Sequence, residues 1–308
     1  MNNSLANRDA LLGVVFALLA AVGFSAKAIL VKLAFVDSVD AVTLLALRMA
    51  FSVPFFVGVA IWVRRQHAAP LSRHDWWLVL GLGFVGYYLS SFLDFLGLQY
   101  VSAGLERMIL FLYPTMTVLL TALIYRRAIG IGTVAAMALS YAGIALVFLH
   151  DMGMHEVTLN RGGTVLLGGA LVFASTMSYA IYLVGAGHVI ERIGALRFTA
   201  YAMVVASIVS LLQFAVTHPL HALILPPRVY QLSIAMAIFS TVLPVFLLSY
   251  AIRRIGSGNT SLIGSIGPVS TIFMAYLFLH ETVSLAQIAG SLLVLGGVLI
   301  VSMNSRRR

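Results

Sequence analysis

Apolar residues in this chain gather into ten stretches of about twenty residues, and short polar connections separate them. A helix of about twenty residues crosses the hydrocarbon core of a lipid bilayer. The pattern therefore predicts ten transmembrane helices, which we number segments 1 to 10. Their predicted ranges are 11–34, 41–63, 76–98, 102–125, 129–149, 163–185, 196–216, 230–251, 258–279 and 284–303.

The composition is typical of a protein embedded almost wholly in the membrane. Of the 308 residues, 61% are hydrophobic and 9% are charged, whereas about 25% of the residues in soluble domains are charged. Segment 1 is too long for the apolar part of a cleaved signal peptide, and nine further segments follow it. The absence of cysteine excludes disulfides, thiolate metal ligands and a cysteine nucleophile.

The net charge of +9 reflects topology. With a cytoplasmic N-terminus, only Arg161 and Arg228 fall in outer loops. By the positive-inside rule, the sequence predicts a multi-pass protein of the plasma membrane, a bacterial inner membrane, with both termini cytoplasmic and no nucleic-acid partner. The arginines expected on the cytoplasmic side are Arg8, Arg64, Arg65, Arg73, Arg126, Arg127, Arg192, Arg197, Arg253, Arg254 and Arg306 to Arg308.

The chain repeats itself. Residues 100–147 align without a gap on residues 254–301 at a constant offset of 154, and segments 1 and 2 match segments 6 and 7 more weakly at an offset near 151. Because each half holds five segments, the second half is expected to be inverted relative to the first. We therefore predict an all-α integral membrane protein of ten transmembrane helices, built as two inverted five-helix repeats, 1–150 and 151–308, around a central cavity.

Two stretches carry a family resemblance. GPVSTIFMAYLFLHETVSLAQIAGSLLVLGGVLIV (267–301) resembles the end of an EamA repeat in the drug/metabolite transporter superfamily, and FSAKAILVK (24–32) resembles the start of one. The chain is also similar to YddG-type amino-acid exporters. Lys32 occupies the place of a family lysine. The chain departs from the family at two positions. Arg127 replaces the acidic residue that Glu281 keeps in the second repeat, and Lys27 is a charge that most members lack.

Six charged residues lie in the outer half of the first repeat. A lysine at the centre of a bilayer costs about 2.5–3.5 kcal/mol, so such residues usually face the protein interior. They either form structural ion pairs, or Lys27 or Arg48 stays partly unpaired and attracts a carboxylate. The partner of Lys27 is Asp94, Glu106 or the substrate. The six residues are Lys27, Lys32, Arg48, Asp94, Glu106 and Arg107.

Two polar stripes follow helical spacing, one on segment 3 and one on segment 6. Such stripes either join helices by hydrogen bonds or line a polar cavity. We predict that they line a route across the membrane, together with Lys27, Arg48, Tyr113 and Ser265. The stripes are Tyr87, Ser90, Ser91 and Asp94 on segment 3, and Ser175, Ser178, Tyr179 and Tyr182 on segment 6.

Pro114 and Pro268 occupy equivalent places in segments 4 and 9, and Pro244 interrupts segment 8. Proline removes a helical hydrogen bond and kinks the helix. With Gly264 and Gly267, these prolines are candidate hinges for a structure that rocks between two openings. The alternative is a static kink that packing requires.

Several motifs do not carry chemistry. GLGFVG (81–86) fits a dinucleotide-binding pattern, but no strand precedes it. Ser265 has no histidine deep in another segment to activate it. We therefore expect no enzyme and no cofactor. The spacing of His150, Asp151, His155 and Glu156 in an outer loop is too loose for a metal site, so no metal is expected.

The residues favour a secondary active transporter that binds a small amphipathic molecule with a carboxylate near the midplane and works by alternating access. The resemblance implies export of aromatic and other neutral amino acids, and the direction of transport comes from it alone. Protons are the candidate coupling ion. The alternatives are a carrier of phosphorylated metabolites or nucleotide sugars, a channel, and an intramembrane enzyme.

Overall fold

The computed structural model describes residues 2–66, 70–126, 128–159 and 162–305, and the elements in these ranges are helical throughout. Within these ranges, eight helices are long and apolar enough to cross a membrane. These eight correspond to predicted segments 1 to 8, which confirms a helical membrane protein. Their bounds are Leu11–Phe35, Ala41–Gln66, Arg73–Gly97, Ala103–Ile124, Ile131–Gly153, Thr164–Ile193, Ala195–Thr217 and Pro227–Gly256.

Segments 9 and 10 are shorter apolar helices, Gly267–Leu279 and Leu285–Ile300. A helical piece from Leu243 to Gly264 leads into segment 9, and Gly256 interrupts it with a φ of 79°. The ten-helix count therefore stays a prediction. Arg127, Arg161 and Arg306 to Arg308 lie outside the described residues, as do the side chains of Arg8, His155 and Glu156, so the predicted charge bias is not tested.

The helices of the two halves are interrupted at corresponding places. Segment 3 contains a π-helical turn at Phe84–Leu89 and segment 8 one at Ile238–Val242. Segment 4 breaks at residues 111–112 and segment 9 at residues 265–266. Segments 4 and 9 are each followed by a residue with a left-handed backbone conformation, Arg126 with a φ of 49° and His280 with a φ of 54°. The first residues of each pair are separated by 154 residues, the offset of the sequence repeat.

Pro114 and Pro268 explain where segments 4 and 9 resume after these breaks. Each lies in the first turn of a new helical piece, Tyr113–Ile124 or Gly267–Met274. The first turn of a helix has no partner for its N–H groups, so proline is accommodated there. These two prolines therefore begin half-helices rather than kink continuous ones. Pro244 lies at the second residue of the piece that follows the π-helical turn of segment 8.

The two halves pack against each other through a regular set of partners. Segment 1 packs on segment 8, segment 2 on segment 7, segment 3 on segment 6 and segment 5 on segment 10. Each segment has a counterpart five segments along the chain in the other half. When both members of a pair are replaced by their counterparts, the result is again one of these four pairs. Small residues allow the close approach of segments 5 and 10, where a methyl group at Gly143 would lie 2.6 Å from the carbonyl oxygen of Gly290. The inverted orientation and the boundary at residue 150 stay predictions.

Candidate functional site

Three helices bring a lysine and two acidic side chains into one cluster. Lys27 Nζ lies 2.6 Å from Asp94 Oδ2 and 3.6 Å from Glu106 Oε1. The side chains of Asp94 and Glu106 are 2% and 0% exposed, and that of Lys27 is 17% exposed. Both acidic residues are thus partners of Lys27, and we call these three residues the ion cluster.

The local sequence sets the position of Glu106. Segment 4 begins at Ala103, and the hydroxyl of Ser102 accepts a hydrogen bond from the N–H of Leu105. A serine in this place caps the helix. An acidic residue in the first turn is stabilised by the helix dipole. The start of segment 4 therefore favours the buried position of Glu106.

Arg48 occupies an enclosed site next to this cluster. Its Nη2 donates to Ser91 Oγ at 3.0 Å, and its guanidinium carbon lies 4.9 Å from the centre of the Phe95 ring. Arg48 is buried, and within the described part of the chain no carboxylate comes within 4.0 Å of its guanidinium. Phe95 covers this cation, which makes it a poor docking group for a substrate.

Arg107 is the more available guanidinium. Its Nη2 donates to Ser25 Oγ at 3.2 Å, and the hydroxyl of Ser25 lies within hydrogen-bond distance of the carbonyl oxygens of Ala21 and Gly267. A methyl group at Gly267 would lie 3.1 Å from the same nitrogen. The missing side chain of Gly267 therefore leaves the space that the guanidinium fills.

Among the residues that the structure describes, no carboxylate lies within 4.0 Å of the Arg107 guanidinium, and its Nε has no hydrogen-bond partner. The sequence placed Arg107 among the deep charges but did not select it as a site residue. The signal for it was indirect, because Gly267 had been interpreted as a hinge rather than as the space beside a cation.

A row of aromatic rings starts next to this arginine. The Phe111 ring lies 3.5 Å from the methyl position at Gly267. Neighbouring ring centres in the row are 5.0–6.2 Å apart, the separation at which aromatic side chains attract one another. The row runs through Phe111, Tyr113, Tyr179, Tyr182 and Phe198, with Tyr87 beside Tyr182.

The polar stripes of segments 3 and 6 meet each other directly. Ser175 Oγ donates to the carbonyl oxygen of Ser90 at 2.7 Å, and Ser178 Oγ donates to that of Val85 at 2.6 Å. The hydroxyls of Tyr87 and Tyr182 are 2.9 Å apart. These contacts are interhelical hydrogen bonds of the kind expected between membrane helices. A cavity-lining role for the stripes stays a prediction.

The candidate hinge residues have different surroundings. A methyl group at Gly264 would meet open space, whereas Gly267 is crowded by Arg107. Pro244 packs on Gly23, where an added methyl group would lie 2.6 Å from the proline Cγ. Ser265 lies half-buried at the break of segment 9. Gly267 therefore combines a helix start with a place in the site.

A cavity of about 550 Å³ lies between segments 4, 5 and 6. Its lining is almost wholly apolar and includes none of the predicted site residues. The residues that line it are Met116, Leu119, Leu120, Ala122, Leu123, Ile129, Tyr141, Phe173 and Met177.

Within the part of the chain that the structure describes, no group of three or more histidine, aspartate or glutamate side chains has a metal-binding arrangement. Two members of the predicted loop group, His155 and Glu156, have side chains outside this part. The expectation that no metal is bound stays a prediction.

Comparison with known proteins identifies one recurring family. The model of the EamA-like transporter family matches residues 11–149 and again residues 166–303. The uncharacterized transporter YcbK of Bacillus subtilis is 31% identical over 300 residues, which cover 96% of this chain and 92% of that protein. A WAT1-related protein of Arabidopsis thaliana is 25% identical over 299 residues, covering 88% of this chain and 83% of that protein.

The fold also has a counterpart among solved structures. One crystal structure superimposes with a TM-score of 0.63 and covers 96% of this chain and 98% of its own chain, at 16% sequence identity. At that identity the likeness concerns the fold alone.

Proposed function

Because the chain belongs to the EamA-like transporter family, we propose that it is a secondary transporter that exports aromatic and other neutral amino acids by alternating access. The family itself makes the chain a multi-pass membrane transporter of a small molecule. Its relatives carry the name of transporters without a substrate, so the substrate class is our inference from the site. The direction of transport rests on the resemblance to YddG-type exporters.

The observation that carries the proposal is the Arg107 guanidinium, which has no carboxylate within 4.0 Å among the described residues and lies next to a row of tyrosines. A guanidinium binds a carboxylate through two parallel hydrogen bonds, and tyrosine rings attract an aromatic side chain. Within the ion cluster, Asp94 supplies a carboxylate for an ammonium. The three chemical parts of an aromatic amino acid thus each find a matching group in the same part of the molecule.

The same geometry argues against a carrier of phosphorylated metabolites or nucleotide sugars. A phosphate carries up to two negative charges and is usually bound by several cations. Here Lys27 is neutralised by Asp94, and Arg48 is covered by Phe95. Among the described residues, the site therefore offers one available guanidinium, which suits a single carboxylate.

Alternating access requires interfaces that open on one side while others stay closed. Segments 3 and 6 are joined by the Asp75–Arg192 ion pair at one end and by the Tyr87–Tyr182 contact farther along. These polar contacts can exchange with water when the interface opens. Segments 1 and 8 instead approach closely through Gly23 and Pro244. We propose that the first interface opens during transport and that protons are the coupling ion.

The proposal is tested by counterflow of labelled phenylalanine in liposomes that contain the purified protein. Arg107→Gln should lower the flux by at least about tenfold, because a hydrogen bond to a charged group contributes about 1.5–3 kcal/mol. Arg107→Lys should retain part of it. Arg228→Gln is the matched control, since Arg228 is exposed beside Asp37 and outside the site.

Two results would contradict the proposal. Flux in protein-free vesicles equal to that of wild type would remove the substrate assignment. A panel in which sugar phosphates exchange and amino acids do not would favour the alternative carrier.

A further inference from the structure

We infer that Glu106 is a proton-binding site and that its proton leaves when the substrate's ammonium group binds. The inference rests on the proposed function, because it assigns the coupling proton of the same site to one carboxyl group. It is supported by the enclosed position of Glu106, which substrate recognition by Arg107 does not explain.

Glu106 is a carboxyl group that receives no hydrogen bond from the residues that the structure describes. It is 0% exposed, and within the described residues neither Oε1 nor Oε2 has a hydrogen-bond partner. Its nearest cation, Lys27, lies 3.6 Å from Oε1 and is already bonded to Asp94 at 2.6 Å. One ammonium group thus serves two buried carboxyl groups.

A buried carboxylate without donors is costly, and a second carboxylate nearby adds repulsion. Protonation of one of the two relieves both costs. Asp94 has the short contact with Lys27, so Glu106 is the member that holds the proton while the site is empty.

The groups around Glu106 agree with this assignment. Arg107, the next residue, donates to Ser25, and Arg48, beyond Asp94, donates to Ser91. Among the described cations only Lys27 is within 4.0 Å of Glu106. The charged and titratable groups on the elements packed around it are Lys27, Lys32, Arg48, Asp94, Arg107, Tyr113, Asp151, Tyr179 and Glu281.

The exchange step balances without a further reactant. When an amino acid enters, its ammonium group binds at Asp94, and the added positive charge lowers the proton affinity of the neighbouring Glu106. The O–H bond of Glu106 breaks, and the proton passes to water on the open side. After the amino acid leaves on the other side, Glu106 takes a proton from that side. One proton enters for each zwitterionic amino acid exported, so the exchange moves one positive charge inward.

The first test measures protons directly. Addition of phenylalanine to wild-type protein in weakly buffered detergent solution should release protons, and Glu106→Gln should release none while still binding phenylalanine. Competition also predicts that the apparent Kd of the wild type rises by up to about tenfold for each unit that pH falls, and that Glu106→Gln loses this dependence. Glu191→Gln, at an exposed acidic residue, should behave as wild type.

The second test concerns coupling. In liposomes, an imposed pH gradient should drive accumulation of phenylalanine by wild type but not by Glu106→Gln. This variant should keep counterflow at saturating phenylalanine, because Asp94 still binds the ammonium group. Accumulation by Glu106→Gln under the same gradient would overturn the inference. Loss of both accumulation and counterflow would also overturn it, because Glu106 would then be a substrate contact.

A third measurement needs no substrate and so separates the two proposals. Infrared spectra of substrate-free wild type should contain the carbonyl band of a protonated carboxyl group, which Glu106→Gln removes and Glu191→Gln keeps. Absence of this band in the wild type overturns the proton site, whatever the transport assays show. Its presence in a protein that moves no amino acid leaves the proton site standing and refutes the substrate class.

Discussion

The charged start of segment 4 and the uncharged start of segment 9 occupy equivalent places in the two halves. Glu106 and Arg107 in the first correspond to Thr260 and Ser261 in the second. Thr260 is buried, and its hydroxyl donates to the carbonyl oxygen of Gly256 in its own helix. Both segments nevertheless have a break, a proline and a following residue with left-handed backbone at equivalent positions.

The second half thus forms the same broken helix without charges at these two positions. Segment 9 builds the broken helix with a hydroxyl group that its own backbone satisfies. Burying ions is costly in the absence of a compensating role. We therefore propose that the charges of segment 4, with Lys27 and Asp94, serve binding, and the following substitutions make the two halves more alike.

The largest effect is expected from Lys27→Met, which removes the cation that the second half lacks at the equivalent position, Ser178. It leaves two buried carboxyl groups without a counter-ion, and breaking a buried ion pair costs about 3–5 kcal/mol. Thermal unfolding of the purified protein should show this loss, together with loss of transport. Lys32→Met is the control and should be milder. Equal effects of the two substitutions would mean that Lys27 has no special place in the site.

The next effect concerns transport alone. The double variant Glu106→Thr, Arg107→Ser gives segment 4 the residues of segment 9 and leaves the Lys27–Asp94 pair in place. We expect the protein to fold with nearly wild-type stability and to lose at least about tenfold of its phenylalanine counterflow. Unfolding of this variant would show that the charges are structural after all.

A smaller effect tests a feature that the halves share. A methyl group at Gly86 would lie 2.2 Å from the ring of Tyr182, and one at Gly23 would lie 2.7 Å from the carbonyl oxygen of Phe239. Gly86→Ala and Gly23→Ala should each lower stability by about 1–3 kcal/mol because they overpack a close helix contact. Gly81→Ala, which meets open space, is the matched control, measured by thermal unfolding in detergent.

The smallest effect is expected at a hydroxyl group that bonds between segments in the first half and within its own segment in the second. Tyr87→Phe removes the hydrogen bond with Tyr182 between segments 3 and 6, which should cost about 0.6 kcal/mol. At the equivalent position, Thr241 donates to Met236 within its own segment, so Thr241→Val should leave the contact between segments unchanged. Disulfide formation between cysteines introduced at Asp75 and Arg192 would report loosening of segments 3 and 6 in Tyr87→Phe. Loosening in Thr241→Val instead would contradict the comparison.

The sequence predicted the helices well because hydropathy and bilayer thickness act on each segment alone. Segment 2 was predicted at 41–63 and runs Ala41–Gln66, and segment 7 was predicted at 196–216 and runs Ala195–Thr217. The sequence repeat could also be recognised, because glycine and proline constrain the backbone in the same way at equivalent positions of the two halves. Those constraints recur as matching breaks in segments 4 and 9.

What the sequence by itself determined is therefore the family, the course of most helices and the set of deep charges. Only the tertiary structure decided that Lys27 lies between Asp94 and Glu106, that Phe95 covers Arg48, and that Gly267 leaves room for Arg107. The physical reason is that hydropathy defines which residues are in the membrane, whereas a salt bridge depends on the rotation and depth of several helices at once. Those quantities are set by packing between distant segments, and no local pattern records them.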